Sequence, residues 1–233
     1  MKELIRENKI FLYLFLMWIV AGGILLLLTG KGDEILWINN CHSPLIDVFF
    51  KYIYIYIDFN FAPPLFLLIL LFAFFRSYGS SLYLLINSLF IAKFIDFLHV
   101  YVFTSELNSR PNVFFDKHHL HILKDVFLNG QSGYPAASVA ETFAVFFLLT
   151  VYGNDKRWSY LFFTLSFLYA VARLYVFQNF FDAVYVGSIL GIGITLCSYT
   201  LIIKSKYYKG IKWKNRSAFG DIKHILSPNT SVR

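Results

Sequence analysis

Two arginines near the ends of apolar segments are the residues best suited to chemistry in this sequence. Arg110 precedes a proline, and Arg173 lies 63 residues further on, at the end of a long apolar segment. A guanidinium binds two phosphate oxygens at once, and the first amides of a helix attract anions. The segment GYPAAS, residues 133–138, carries a proline typical of a first helical turn. We therefore predict an anion site formed by both guanidiniums and the amides of Ala136, Ala137 and Ser138.

The composition is typical of a membrane protein. Of the 233 residues, 58% are hydrophobic and 20% are aromatic, and the mean hydropathy is +0.58. A soluble domain of this length would expose too much apolar surface. The two cysteines, Cys41 and Cys197, do not indicate a disulfide framework, because Cys197 lies within an apolar segment.

Six segments are predicted to be transmembrane helices, each of which needs roughly 20 apolar residues. The lightly charged, aromatic stretch 34–59, between the first two segments, is typical of a helix in the membrane interface. Its YIYIYI run alternates as a strand would, but an open strand edge is not stable in lipid. The predicted fold is all-α, a six-transmembrane-helix bundle with an interfacial helix after the first span. The six predicted spans are residues 10–28, 59–75, 81–103, 135–152, 159–177 and 180–203.

The distribution of lysine and arginine predicts the orientation of this bundle. Fourteen of these residues fall on the side of the two termini and five on the other side, which places both termini in the cytoplasm. We divide the chain into a cytoplasmic N-terminus (1–9), a membrane domain (10–203) and a basic cytoplasmic tail (204–233). The topology explains the net charge of +7, which therefore does not indicate nucleic-acid binding. For the tail, a solvated segment is favoured over one that contacts anionic lipid headgroups.

The third and fourth predicted spans contain three charged residues, Lys93, Asp96 and Glu141, and one histidine, His99. Because charges at this depth usually pair and face the bundle interior, we favour a buried ion pair between Lys93 and either Asp96 or Glu141. A polar path beneath the anion site is the alternative. For His99, one turn before Phe103, a structural hydrogen bond is favoured over a role in the site.

The polar stretch before residue 133 contains a histidine cluster, His118, His119 and His121, which could bind a metal ion. A solvated cluster is favoured, and we predict no metal and no cofactor. Gly187 and Gly191 lie four residues apart in the last span, a spacing that indicates close packing against another helix.

The order and spacing of three motifs resemble the signature of the type 2 phosphatidic acid phosphatase and vanadium haloperoxidase superfamily. The family pattern is K-x6-R-P, then P-S-G-H, then S-R-x5-H-x3-D. Arg110 and Pro111 match the end of the first motif, Pro135 the start of the second, and Arg173 the third. The stretches LWINNCHSPLIDVFF and VYVGSILG are also similar to family members, so the resemblance covers residues 10–203. It implies the six-helix fold of the lipid phosphate phosphatases.

The sequence departs from this pattern wherever the resemblance implies a catalytic role. Asn179 stands in place of the histidine that attacks phosphorus, and Ser138 in place of the histidine that protonates the leaving group. Ala183 replaces the aspartate that orients the nucleophile, and Phe103 replaces the lysine of the first motif. The loss of one member of such a unit removes most of its catalysis. Asp182 is turned about 100° around a helix from the next position, so it is not expected to substitute.

These departures favour a catalytically inactive member of the superfamily, a pseudoenzyme in a bacterial inner membrane. It would bind a phosphorylated lipid headgroup or serve as a subunit of an envelope complex, with membrane lipids and a membrane protein as partners. Two alternatives stay open. One is an active lipid phosphate or prenyl pyrophosphate phosphatase with non-standard residues. The other is a lipid transporter or flippase whose route Lys93, Asp96 and Glu141 would line.

Overall fold

The computed structural model describes residues 2–57, 63–103, 110–115, 121–123, 126, 133–153, 155–203 and 205–226. Within these residues the chain forms helices and no strand. The helices are α1 Lys2–Glu7, α2 Lys9–Leu28, α3 Asp33–Asn40, α4 Pro44–Ile57, α5 Pro63–Arg76, α6 Tyr78–Tyr101, α7 Pro111–Phe114, α8 Ala137–Tyr152, α9 Trp158–Tyr175, α10 Phe181–Ile203, α11 Lys206–Gly210 and α12 Ala218–Leu226.

The all-α prediction is confirmed, and each predicted span corresponds to one of these helices. Three of them, α2, α6 and α10, are long and apolar enough to cross a membrane. Two others, α8 and the part of α5 from Leu65 to Arg76, are apolar but shorter. The number of six crossings, the orientation of the termini and the three-part division of the chain stay predictions.

The segment predicted to be one interfacial helix forms two helices, α3 and α4. Pro44 is the first residue of α4, and a proline is tolerated there because the first amide of a helix has no partner within the helix. The YIYIYI run lies in α4 and is helical, as expected. Through Tyr54, which packs with Ala172 and Tyr175, α4 supports the end of α9.

Helix α8 is the centre of the bundle and packs against α6, α9 and α10. Twelve of its 16 residues are buried, as is typical of a helix that is apolar on every side. Its aromatic side chains interlock with α2, since Phe147 packs on Phe11 and Phe143 packs on Phe15. The N-terminal end of α8 is therefore held in a fixed place by its neighbours.

Two glycines allow α10 to contact α8 backbone to backbone. A Cβ added at Gly191 would lie 2.2 Å from the carbonyl oxygen of Ala140, and one added at Gly187 would lie 2.6 Å from that of Ala136. Neither position has room for a side chain. The close packing that the glycine spacing predicts is confirmed.

Residues 205–226 of the predicted solvated tail fold back onto the start of α6, although most of their side chains are exposed or half-buried. The amide of Gly79 donates to the carbonyl of Lys214, and the amide of Tyr78 donates to the carbonyl of Arg216. The hydroxyl of Tyr78 also donates to Asp221, over 2.8 Å. The physical reason is that the first amides of α6 have no acceptor within the helix, and the chain after α11 supplies one. Residues 204 and 227–233 lie outside the described residues.

We predict that Gly191→Ala lowers the free energy of unfolding by about 1–3 kcal/mol, the usual cost of overpacking. The added methyl group would have to push two backbones apart. The matched control is Gly210→Ala at the end of α11, where an added Cβ meets no atom within 4 Å. Alanine favours a helix by up to about 1 kcal/mol over glycine, so this control should be as stable as the wild type or more so. Thermal unfolding of both variants in the same detergent measures the difference. A Gly191→Ala variant as stable as the wild type would contradict the close contact between α8 and α10.

Candidate functional site

The candidate site is built on the turn that ends α9. The amide of Gln178 donates to the carbonyl of Arg173 over 3.0 Å, and the amide of Phe177 donates to that of Leu174 over 3.1 Å. Together these bonds form a Schellman motif. Phe177 adopts the left-handed conformation with φ 58°, which costs a residue other than glycine about 1–2 kcal/mol. Its buried ring packs with Ile35 and offsets that cost, so the turn fixes residues 178–180 relative to Arg173.

Asn179 joins this turn to the loop that leads into α8. Its Oδ1 accepts from Nε of Arg173 over 2.9 Å, and its Nδ2 donates to the carbonyl of Gly133 over 2.6 Å. The orientation of the amide is unambiguous, because a guanidinium only donates and a carbonyl only accepts. Both ends of the side chain at the nucleophile position are thus engaged in holding two segments together.

Arg110 reaches the same turn from the other side. Its Nη1 donates to the backbone carbonyl of Gln178 over 2.9 Å and to the side-chain Oε1 over 2.8 Å. A Cβ added at Gly133 would lie 3.0 Å from Cγ of Arg110 and 3.1 Å from Nδ2 of Asn179, so Gly133 sits between them. The structure therefore brings Arg110 and Arg173 together around Gly133 and Asn179.

Both guanidiniums are buried, and that of Arg173 lies over an aromatic ring. Arg110 is 8% exposed and Arg173 is 5% exposed. Cζ of Arg173 lies 5.5 Å from the ring centroid of Tyr54, over the ring, which is a favourable cation–π position. A charge in such surroundings interacts more strongly with its neighbours than it would in water, because the local dielectric constant is lower.

The N-terminus of α8 differs from the prediction in one respect. The helix begins at Ala137 and Pro135 precedes it, so the proline is not in the first turn. The amide of Ala136 donates to the carbonyl of Ala183 over 3.0 Å and is not available to an anion. The reason is the close approach of α10 at Gly187, which brings the Ala183 carbonyl within reach.

The first turn of α8 still carries donors. Ala136 is the N-cap and makes no side-chain cap, and a helix does not satisfy its own first amides, which here belong to Ala137 and Ser138. The side chain of Ser138 is 4% exposed, and its hydroxyl has no hydrogen-bond partner among the described residues. One turn later, Thr142 bonds back to the Ser138 carbonyl, whereas Ser138 makes no such bond to its own helix.

The two remaining positions that depart from the family pattern, Phe103 and Ala183, both pack against neighbouring parts of the protein. The ring of Phe103 packs edge to face on Tyr134, with centroids 4.9 Å apart, and thus lines the loop before α8. Ala183 is buried in the first turn of α10. Asp182 pairs with Lys31 over 3.5 Å and accepts from the amide of Ala183. These contacts direct the Asp182 carboxylate toward Lys31, so it does not replace the missing aspartate.

The polar residues predicted to be inside the bundle are divided between its surface and its interior. Lys93 and Asp96 pair over 3.6 Å, but their side chains are 82% and 62% exposed. The prediction of a buried pair is wrong, because the buried face of α6 is formed by other residues, among them Ile91 and Ile95. An interior route cannot be lined by these two side chains, which removes the support that they gave to the transporter hypothesis. Glu141 is buried in α8.

His99 makes the structural hydrogen bond that the sequence favours. Its Nε2 lies 2.9 Å from the carbonyl oxygen of Pro135. Because the carbonyl only accepts, Nε2 carries the proton. This hydrogen bond joins α6 to the loop before α8.

Sequence reasoning missed a second, half-buried group of polar side chains around Asp47. Nε2 of His121 lies 2.8 Å from Oδ2 of Asp47, and the hydroxyl of Tyr175 donates to Oδ1. His121 also stacks on His42, with centroids 4.1 Å apart, so His121 makes specific contacts while its side chain stays 34% exposed. Burial raises the pKa of Asp47, but the hydrogen bonds from Tyr175 and His121 outweigh it and leave this pKa below its ordinary value. The described residues hold no group of three metal ligands, and His118 and His119 lie outside them.

Gln178 is the other residue that the sequence did not identify. Its side chain and its carbonyl both hold Arg110, and it lies between the two matched positions Arg173 and Asn179. The available signal was a run of polar residues, QN, inside an aromatic stretch, FQNFF.

We predict that Asn179→Ala lowers the free energy of unfolding by about 1–3 kcal/mol. The change leaves the buried Gly133 carbonyl and Nε of Arg173 without this partner, and an unsatisfied buried group costs that amount. Asn215→Ala, at an exposed position near the C-terminus, is the control and should be neutral. Chemical unfolding followed by tryptophan fluorescence measures both variants. A neutral Asn179→Ala would show that the amide does not hold the two segments together.

Comparison with known proteins agrees with the motifs. A family model described as the PAP2 superfamily matches residues 81–207. The structure is similar to the crystal structure of LpxE from Aquifex aeolicus, with a TM-score of 0.61 and 22% sequence identity, over 73% of this chain and 95% of that one. At this identity the likeness concerns the fold alone. No curated protein matches the sequence. The residues matched by the family include Arg110, Arg173 and all four degenerate positions.

Proposed function

The chain belongs to the PAP2 superfamily, and we propose that it binds a phosphorylated lipid headgroup without hydrolysing it. The observation that carries the proposal is the junction at Asn179, which joins Arg173 to Gly133 beside Arg110. The neighbouring residue Gln178 holds Arg110, and Asn179 occupies the position that the family pattern gives to the nucleophile.

A phosphate monoester has the charge and shape to fit between these cations. It carries about −1.5 to −2 charges at neutral pH and three acceptor oxygens. Each guanidinium can present two parallel N–H groups to such an oxygen pair. Nη1 of Arg110 donates to Gln178, and Nε of Arg173 donates to Asn179. These contacts fix the orientation of each fork.

The first turn of α8 would complete the shell of donors. The amides of Ala137 and Ser138 point along the helix axis toward its N-terminus, where the helix dipole favours an anion. The buried Ser138 hydroxyl can donate one further hydrogen bond to an oxygen in the site. A hydroxyl with this burial and no partner among the described residues gains a bond when such an oxygen binds.

Hydrolysis lacks a nucleophile and an acid in this arrangement. The Asn179 nitrogen shares its lone pair with the amide carbonyl and donates to Gly133. The Ser138 hydroxyl is far too weak an acid to protonate a leaving group at neutral pH. No carboxylate can orient a nucleophile from position 183, because Ala183 has none.

A lipid is the ester that this position favours. The site lies at the ends of helices long and apolar enough to cross a membrane, and half-buried Phe103 packs on Tyr134 beside it. The apolar part of a lipid phosphate would meet these rings while its phosphate meets the arginines. With both termini cytoplasmic, as the lysine and arginine distribution predicts, the site faces the outer side of a bacterial inner membrane.

We predict that Arg110→Ala and Arg173→Ala each weaken binding of a short-chain phosphatidic acid about tenfold to 150-fold. Loss of one charged hydrogen bond costs about 1.5–3 kcal/mol. Arg157→Ala removes an exposed arginine that pairs with Asp155 and should leave the affinity unchanged. Calorimetric titration of the purified protein in detergent, with thermal unfolding of the same samples, gives affinity and stability together.

The two readouts separate a binding role from a structural one. If the arginines only hold the fold, both variants lower the unfolding temperature and the affinity of the folded protein stays the same. Phosphate release is measured in the same samples, and none above background is expected. A turnover that depends on Asn179 or Ser138 would instead establish an active phosphatase with non-standard residues.

A further inference from the structure

The exposed ion pair on α6 lies in the middle of an otherwise apolar helix. Lys93 is 15 residues after the start of α6, which is about 22 Å along a helix about 36 Å long. Asp96 follows one turn later on the same side. The helix is long and apolar enough to cross a membrane, so both charges fall within the length that would be covered by lipid.

The side chains around the pair belong to a surface that would face lipid. Leu89, Phe90 and Phe97 are exposed within about one turn of Lys93. Charged residues inside a membrane almost always face the bundle interior or pair with a neighbouring helix, since lipid does not solvate them. Pairing between Lys93 and Asp96 compensates part of the charge, but both side chains remain exposed. The surface is therefore incomplete without a polar partner.

An apolar groove runs beside the pair, between α6 and α10. It has a volume of about 570 Å³, and its walls include Phe90 and Phe94 of α6 and Ile194 of α10. Gly193 of α10 also lines the groove, and a Cβ added there would meet no atom within 4 Å. A small residue beside open space is the feature that lets a second helix approach closely in a membrane.

We propose that this face of α6 is the interface of a homodimer, in which Lys93 of each copy pairs with Asp96 of the other. Two copies inserted in the same orientation are related by a twofold axis along the membrane normal, so their α6 helices run parallel. The two residues differ by three positions, or about 4.5 Å along the axis, a distance that a lysine side chain spans. Two interhelical ion pairs then replace two pairs exposed to lipid.

The charge pattern identifies a second copy as the partner. The patch holds one positive and one negative charge three residues apart, and it has no net charge. A parallel copy of the same helix offers the opposite charge to each residue at the same offset. A foreign helix with a single charge would satisfy Lys93 or Asp96 and leave the other.

Complementary charge swaps test the dimer. Lys93→Asp makes both positions acidic and Asp96→Lys makes both basic, so each variant alone should be monomeric, with dimerisation at least tenfold weaker than in the wild type. A mixture of the two variants should form heterodimers, because each acidic residue then faces a basic one. Single-molecule photobleaching in liposomes counts the copies, and capture through two different tags detects the mixed dimer. Asp155→Lys and Arg157→Asp, at an exposed pair in the turn before α9, are the matched controls and should dimerise as the wild type does.

A cross-link gives a second measurement that does not depend on the charge variants. In a chain with Cys41→Ser and Cys197→Ser, Leu89→Cys should form an intermolecular disulfide in the membrane, whereas Tyr160→Cys on α9 should not. The proposal would be overturned if the wild type is monomeric or if the charge swaps leave the dimer intact. It would also be overturned if Leu89→Cys cross-links only to a different protein supplied from membranes. None of these outcomes involves the lipid-phosphate site, so the two proposals succeed or fail separately.

Discussion

The backbone contact between α8 and α10 is the constraint on which the rest of the structure depends. Gly187 and Gly191 leave no space between the two helices, and α8 is buried on all sides by the other helices. This contact brings the Ala183 carbonyl to the amide of Ala136 and thereby fixes the position of the N-terminal end of α8. The residues of the candidate site lie around this end of α8.

At the N-terminal end of α8, the amide side chain of Asn179 stands where the family pattern has a histidine. Asn179 donates and accepts from a single planar group, so it can join Arg173 to the loop before α8. Gln178 holds Arg110 in the same turn, and under the proposed function this arrangement binds an anion rather than cleaving it.

The sequence predicts what depends on composition and spacing, and it fails where tertiary contacts decide. Apolar length identifies the helices, and the motif spacing correctly brings Arg110 and Arg173 together. The sequence does not reveal that the C-terminal segment caps α6. The amides of Tyr78 and Gly79 need acceptors only because α6 begins at Tyr78. Nor does it show that Lys93 faces outward, since a nearly uniform apolar helix has no periodicity to mark its buried side.

Phosphorus NMR of a short-chain phosphatidic acid with the purified protein tests the central claim most directly. If the site binds without hydrolysis, the lipid phosphate signal shifts or broadens in proportion to bound protein, while its total intensity stays constant and no inorganic phosphate signal appears over many hours. A growing inorganic phosphate signal would show that the site is catalytic. An unchanged lipid signal at saturating protein would show that it does not bind the phosphate at all.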